Sequence, residues 1–287
     1  MKPQFDNQVL SSFLLWFDHT LLDDGEAYQN TTGQFYNVSQ EFAGYQTYAS
    51  SYSQIVSDAS ITGASIPTGL YVGSNLVNVG QGASTGLYAI DYNNGRSYWS
   101  GEQGGNVTGS FAIKDFNTFL TNRTEDEILF QSQYTNRNKI SNVVPTGLEP
   151  DTKTYPVVYI KNDGSTNDPF AFGGQDSTVI DIRAIVIADS QFEIDAIGSL
   201  FRDQARKYFC LFEPSEMPFN QFGYYRNDVQ YNYESVVGGK GAGQKCFIEE
   251  VNISRFDRVL ENEVRKFNPN VYSTLIDFEI SKVRNPG

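Results

Sequence analysis

The chain is poor in the residues that carry most protein chemistry. Its 287 residues hold one histidine, His19, and two cysteines, Cys210 and Cys246. No spacing of His, Cys, Asp or Glu reads as a metal site or as a nucleophile beside its base, so no catalytic residue, metal or cofactor is expected. Two cysteines outside any Cys-dense framework read as reduced thiols. Charged residues make up only 19% of the chain, and their balance is acidic, net −13. The basic residues are scattered, which argues against nonspecific binding to nucleic acid, because neutralising phosphates takes clustered Lys and Arg. No apolar run approaches the roughly 18–20 residues that span a bilayer, so no membrane partner is expected. The longest near the start, Phe13–Phe17, stops at Asp18 and His19. Met1–Asp6 lacks the charged, apolar and small-residue sequence of a secretory signal, and none is expected. The Asn-x-Ser/Thr triplets at Asn30, Asn37, Asn106, Asn122 and Asn252 are then read as chance.

What is abundant is aromatic: 21 Phe and 18 Tyr, with 25 Gly. High aromatic content with low charge excludes disorder. The length suits one large domain or two of about 100–150 residues. The composition points to a soluble, β-rich chain built for packing and docking.

Residues 6–22 predict a helix, with Asp6 as N-cap and Leu10, Phe13, Leu14, Phe17 and Leu21 forming one apolar stripe. Asp24-Gly25 ends it. His19 falls off the stripe near the C-terminus and reads as a structural histidine, since no second catalytic partner stands in register. Residues 28–60 carry Tyr28, Phe35, Tyr36, Phe42, Tyr45, Tyr48 and Tyr52 on a polar, extended segment without periodicity. Tyr pairs an apolar face with a polar tip, which suits interfaces. The segment reads as an arm, laid either over the protein's own core or on a neighbouring subunit.

Residues 61–134 predict short strands: Gly69–Val72 with Leu76–Val79, Leu87–Tyr92 with Arg96–Trp99, then Val107–Ile113 and Ile128–Tyr134. Asn93-Asn94-Gly95 predicts a hairpin with a type I′ turn. This part is expected to be a small antiparallel sandwich or barrel. Residues 135–154 are polar and turn-rich, and a boundary is placed there. Beyond it, Tyr155–Lys161 predicts a strand, Asn162–Gly174 a polar loop, and Thr178–Ala188 a long strand. Ser190-Gln-Phe-Glu193 is a capping box opening a helix with the stripe Ile194, Ile197, Leu200/Phe201 and Ala205. Cys246–Phe256 and Val271–Val283 predict two more strands. Phe209–Gly243 is aromatic-rich and without periodicity, and reads as a packing or docking loop.

Glu249-Glu250 and Glu125-Asp126-Glu127 were weighed as carboxylate pairs for glycoside cleavage. Adjacent strand residues point to opposite faces, so Glu249 and Glu250 are not expected to pair. Asp163–Asp168 has oxygen ligands without the spacing of a Ca²⁺ loop and reads as a solvated turn.

Three stretches carry a resemblance. Phe5-Asp6-Asn7, Leu15-Trp16-Phe17-Asp18-His19 and Gly25-Glu26-Ala27-Tyr28 resemble the start of virion structural proteins of tailed bacteriophages. Asp91–Arg96 resembles a turn of phage neck and baseplate proteins. Residues from about 155 to 287 resemble, more loosely, tail-terminator and tail-completion proteins, through Ile187–Ile197 and the closing strand Ile276–Ile280. The resemblance implies a non-enzymatic virion component, assembled in the host cytoplasm. Its partners would be copies of itself in a ring, often hexameric, and other neck or tail proteins, with DNA only as passing cargo through an acidic lumen. The fold expected is α+β and β-rich. It comprises an N-terminal helix and aromatic arm (1–60), a small antiparallel β domain (61–145) and an α+β assembly domain (146–287) with one main helix on a mostly antiparallel sheet. The contact residues expected are Tyr28, Tyr45 and Tyr48 in the arm and Phe219, Tyr224 and Tyr225 in the long loop. One rival reading is a receptor- or carbohydrate-binding virion module using the same tyrosines and Trp99 as stacking platforms; the other is a hydrolase whose carboxylates the fold brings together from distant parts of the chain.

Overall fold

A buried helix and two sheets organise the chain. The structure, a computed structural model, describes residues 5–80, 86–137, 153–171, 174–220, 225–226, 229–255 and 271–284. Helix α1 (Phe5–Asp23) is followed by β1 (Tyr28–Phe42), β2 (Tyr45–Ser50), β3 (Gly69–Val72), β4 (Asn75–Asn78), β5 (Leu87–Asp91), β6 (Arg96–Trp99), β7 (Val107–Lys114) and β8 (Asn117–Leu120). Then come α2 (Glu125–Thr135), the short strands β9 (Asn136–Arg137) and β10 (Lys153–Thr154), β11 (Val157–Ala171), β12 (Gln175–Ala188) and α3 (Gln191–Arg202). The chain ends with β13 (Tyr208–Cys210), α4 (Tyr233–Gly238), β14 (Lys245–Ser254) and β15 (Tyr272–Arg284). The class is α+β, and strands dominate.

The first sheet has the order β4-β3-β7-β1-β2-β6-β5 and is antiparallel throughout. It curls until its ends meet, where Gly80 N–H donates to Leu87 O at 2.9 Å. Curling places Phe35, Tyr48, Leu70, Trp99 and Phe111 in one interior. The segment expected as an arm is thus the β1–β2 hairpin at the sheet's centre. Its polar pattern misleads because much of the hairpin stays wet, with Gln29, Asn30, Thr32, Asn37 and Glu41 exposed, while Phe35, Val38 and Tyr48 are buried. Two left-handed residues, Ala43 (φ 50) and Gly44 (φ 82), make its two-residue turn, the type I′ geometry. The Asn-Gly hairpin forms as expected, but with a four-residue loop: Asp91 pairs Arg96, and Gly95 (φ 63) is left-handed while Asn94 is not. The Asp91 carboxylate accepts from Asn94 N at 3.0 Å and Asn94 Nδ2 at 2.8 Å, which holds the longer loop.

The second sheet has the order β13-β14-β15-β12-β11-β8, with only β8 and β11 parallel. Both α1 and α3 pack on one of its faces. Ser190 caps α3 as expected, its Oγ accepting from Glu193 N. Helix α1 is buried around nearly its whole circumference, Val9, Ser12, Leu15, Trp16 and Leu22 included, not along a single stripe. The reason is a second covering layer: Gln8 and Ser12 bond the Phe212 backbone on the side away from the sheet. Ser12 and Thr20 hydroxyls donate to carbonyls one turn back, so neither is left unpaired in the interior. Phe17 stacks on Phe201 at 3.8 Å, and Phe13 meets Phe278 edge-on at 4.9 Å. Burying each such ring stabilises by about 1.5–3 kcal/mol.

Two further expectations are corrected. Ile128–Tyr134 lies in helix α2, not a strand. A reciprocal cap starts it: Thr124 N donates to Glu127 Oε2 at 2.9 Å and Glu127 N to Thr124 Oγ1 at 3.4 Å. Asn162–Gly174 is not a loop, since β11 runs on to Ala171 and pairs β12 beyond it, with a register shift at Asp163. Here residues 163–169 are all exposed, so no hydrophobic alternation marks the strand. The expected boundary at 135–154 lies mostly outside the described residues. Both cysteines are free and buried, and burial pushes the Cys246 thiol up to about 12.

Candidate functional site

The residues expected at contacts are scattered by the fold. Tyr48 is 4% exposed, inside the curled sheet, its Oη accepting from Gln103 N at 2.8 Å. Phe219 is buried against Tyr225, with ring centroids 4.7 Å apart. Tyr28 donates its hydroxyl to Thr62 O at 2.9 Å. Tyr225 is half-buried, and its hydroxyl is enclosed without a hydrogen-bond partner among the described residues. Tyr224 lies outside the described residues. Tyr28, Tyr48, Phe219 and Tyr225 close the molecule's own cores. Trp99, expected as a stacking platform, is fully buried.

Tyr45 differs. It stacks on Tyr88 at 4.1 Å and 16°, and Tyr88 is 54% exposed. Beside them Phe42, 46% exposed, lies 5.0 Å from the Tyr98 ring. Tyr98 is buried opposite Thr47 and Ala89 on its strand neighbours and donates to Asp91 Oδ2 at 3.3 Å. Burial and the Asp91 charge hold its phenol well above the usual tyrosine range, so it stays a neutral donor. The result is an aromatic strip, Phe42, Tyr45, Tyr88 and Tyr98, on the convex face of a rigid sheet. Tyr88 was legible only as a strand residue and Phe42 only as one ring of the expected arm; the curl of the sheet brings them together.

A second cluster is buried between the two sheets. Asp18 of α1 accepts from Lys114 Nζ of β7 and from Thr118 Oγ1 of β8 at 2.8 Å. The next residue, His19, bonds Asp58 Oδ2 through Nδ1 at 2.8 Å and stacks on Tyr233 at 4.1 Å. Asp58 Oδ1 accepts from Ser60 N, Ser60 Oγ and Tyr233 N. Burial raises the Asp58 pKa, but the hydrogen bonds from His19, Ser60 and Tyr233 outweigh it and hold the carboxyl below its ordinary value. Tyr225 and Tyr231 are pushed well up by burial, with the Asp18 and Asp58 charges adding to it. A His–carboxylate pair is two thirds of a hydrolytic triad. Among the described residues no hydroxyl or thiol bonds the other ring nitrogen of His19, and the cavity beside Lys114 and Tyr225 holds about one water. The arrangement clamps α1 to both sheets.

The carboxylates weighed for cleavage also resolve. Glu125 pairs Arg183 at 2.6 Å and Lys161 at 3.4 Å, while Arg183 grips Asp277 with two nitrogens. Asp163, expected in a solvated turn, joins this network through Lys161 at 3.1 Å. Glu127 caps α2. The alternation argument for Glu249 and Glu250 fails, because a bulge in β14 falls between Ile248 and Glu250. Glu249 reaches Ser281 Oγ at 2.5 Å and Glu250 stands opposite Glu279, so both lie on one open sheet face. Among the described residues no group of three His, Cys, Asp or Glu side chains is placed to hold a metal ion. No helix among them is long and apolar enough to cross a membrane. No family model and no curated protein matches the chain.

Proposed function

We propose that the chain is a non-enzymatic structural component of a tailed-phage virion, a ring subunit of the neck or tail that joins neighbouring virion proteins. The observation that carries the assembly part is the aromatic strip Phe42–Tyr45–Tyr88, held open to solvent on a rigid, curled sheet. Exposed rings of this kind, locked by strand pairing, bind a partner at little cost in side-chain entropy. The resemblance of residues 5–28, 91–96 and 155–287 supplies the virion setting. The open placement of Glu249 and Glu250 on a sheet face, with no cleft between them, favours this reading over hydrolysis.

The Tyr45–Tyr88 pair also favours one second reading, a carbohydrate- or receptor-binding virion module, because exposed ring faces stack on sugars as well as on proteins. Light scattering and electron microscopy across a concentration series separate the two. Discrete rings that add to disrupted tails of the source particle support the ring subunit. A monomer that ignores tails and loses cell-surface glycan binding on Tyr88→Ala overturns it in favour of the module.

A further inference from the structure

The face of the second sheet opposite α1 and α3 is unevenly covered. At one end α2 lies over Val157, Tyr159, Ile185 and Leu275. The other end is open. There Tyr208 of the edge strand β13 stands opposite Phe247 of β14, and Phe247 opposite Ser281. Tyr208, Phe247 and Val283 are 51%, 39% and 47% exposed. A cation sits on one of these rings, and three more lie on the neighbouring chain, in a sequence whose basic residues are otherwise dispersed. Lys245 Nζ sits 3.8 Å over the Tyr208 ring, and Arg202, Arg206 and Lys207 are exposed where α3 leads into β13. Among the described residues none of these four cations has a carboxylate partner.

A few residues further along the strands, the sign of the same face reverses. Asp181 is directly opposite Glu279, and Glu279 is directly opposite Glu250. All three are exposed, and none has a cationic partner among the described residues. Carboxylates facing each other across adjacent strands destabilise a sheet. A cation brought against the row relieves that repulsion.

We propose that copies of this chain meet here: the basic, aromatic edge around Tyr208 of one copy seats on the carboxylate row Asp181–Glu279–Glu250 of the next. The inference rests on the assembly reading for the presence of a second copy, and it names a contact surface separate from the Phe42–Tyr45–Tyr88 strip. Charge complementarity carries it. Cations along the edge strand, one of them over an exposed ring, complement an anionic surface, and the chain, net −13, supplies one itself. The carboxylates next to the patch disfavour nucleic acid, since a phosphate at Lys245 would also face Glu249 and Glu250.

The test is sedimentation equilibrium of the full chain as wild type, as Arg206→Glu/Lys207→Glu, as Glu250→Lys/Glu279→Lys, and as an equal mixture of the two variants. Wild type is expected to self-associate, less so at high salt. Each variant alone is expected to lose roughly tenfold or more in association constant. The mixture, in which reversed edge meets reversed face, is expected to recover it. All four substituted side chains are exposed, so thermal melts like wild type are expected, and recovery in the mixture requires both variants to be folded. Variants that associate as wild type does overturn this surface while leaving the assembly reading standing. A wild type monomeric at every concentration overturns this surface, and the assembly reading falls with it only if that monomer also fails to add to disrupted tails. Labelled duplex DNA that binds wild type and is released by Arg206→Glu/Lys207→Glu, with self-association unchanged, overturns the proposal and assigns the patch to phosphate.

Discussion

Replacing Lys114 by Met is expected to destabilise the chain by about 3–5 kcal/mol, because it strands a buried charge. Asp18 is fully buried and Lys114 is 9% exposed, so among the described residues the carboxylate left behind keeps a single hydrogen bond, from Thr118. The pair also spans the molecule. Asp18 sits on the helix that packs on the second sheet, Lys114 ends a strand of the first, and Thr118 begins the edge strand of the second. Lys114→Met should therefore loosen the junction as well as lower stability, and a second unfolding transition or a reduced denaturant slope would report it. Replacing both partners, Asp18→Leu with Lys114→Met, should recover most of the loss, since an apolar pair of similar volume is often neutral where a buried ion pair stood. The assay is urea unfolding followed by tryptophan fluorescence, with circular dichroism as the second probe. A loss under about 1 kcal/mol for Lys114→Met, or a double variant no better than the single one, would refute the reasoning.

Other expectations follow from single positions. Gly95→Ala should cost roughly 3 kcal/mol or more, because a Cβ there would lie 1.8 Å from Tyr52 O and the residue is left-handed; a melt within a degree of wild type would contradict this. Ala43→Asn should stabilise by about 0.5–1 kcal/mol, since Asn tolerates the left-handed region better than Ala; chemical denaturation measures it, and a destabilised variant would show the turn is not strained. Asp58 has a folded pKa below its unfolded one, so its contribution is full above the unfolded value, near pH 4, and is lost as pH falls through the folded value. Asp58→Asn should thus be less stable than wild type at pH 7, with the gap narrowing as pH falls below about 4. A constant gap across that range, read by urea unfolding at each pH, would count against the assignment.

How much of this was legible in the chain depended on whether a local pattern reported burial. The α3 cap at Ser190 and the Asn-Gly turn could be read from their own few residues, and the alternation in β12 before Ala184 and in β15 after Ile276 could be read because there each strand buries one face and leaves the other wetter. Where both faces are wet, as in β11 beyond Lys161, there was no alternation to read. Where a helix is buried all round, as α1 is, the stripe understated the packing. At α2 the apolar residues Ile128 and Leu129 suggest a strand, and the Thr124–Glu127 cap decides for a helix. The surfaces were the least legible. An exposed tyrosine and a core tyrosine look alike in sequence, so Tyr48 and Phe219 could not be told from Tyr45 before the sheet curled.

The sequence by itself determined an α+β chain rich in strands, an acidic balance, and the absence of any spaced catalytic or metal-binding motif. These follow from composition and short-range periodicity, which the solvent imposes on each element separately. Only the tertiary structure decided that Asp18 would meet Lys114, 96 residues away, that His19 would find Asp58, and that a bulge would turn Glu249 and Glu250 to one face. Such contacts join segments distant in the chain, and their free energy exists only once the sheets have closed around them.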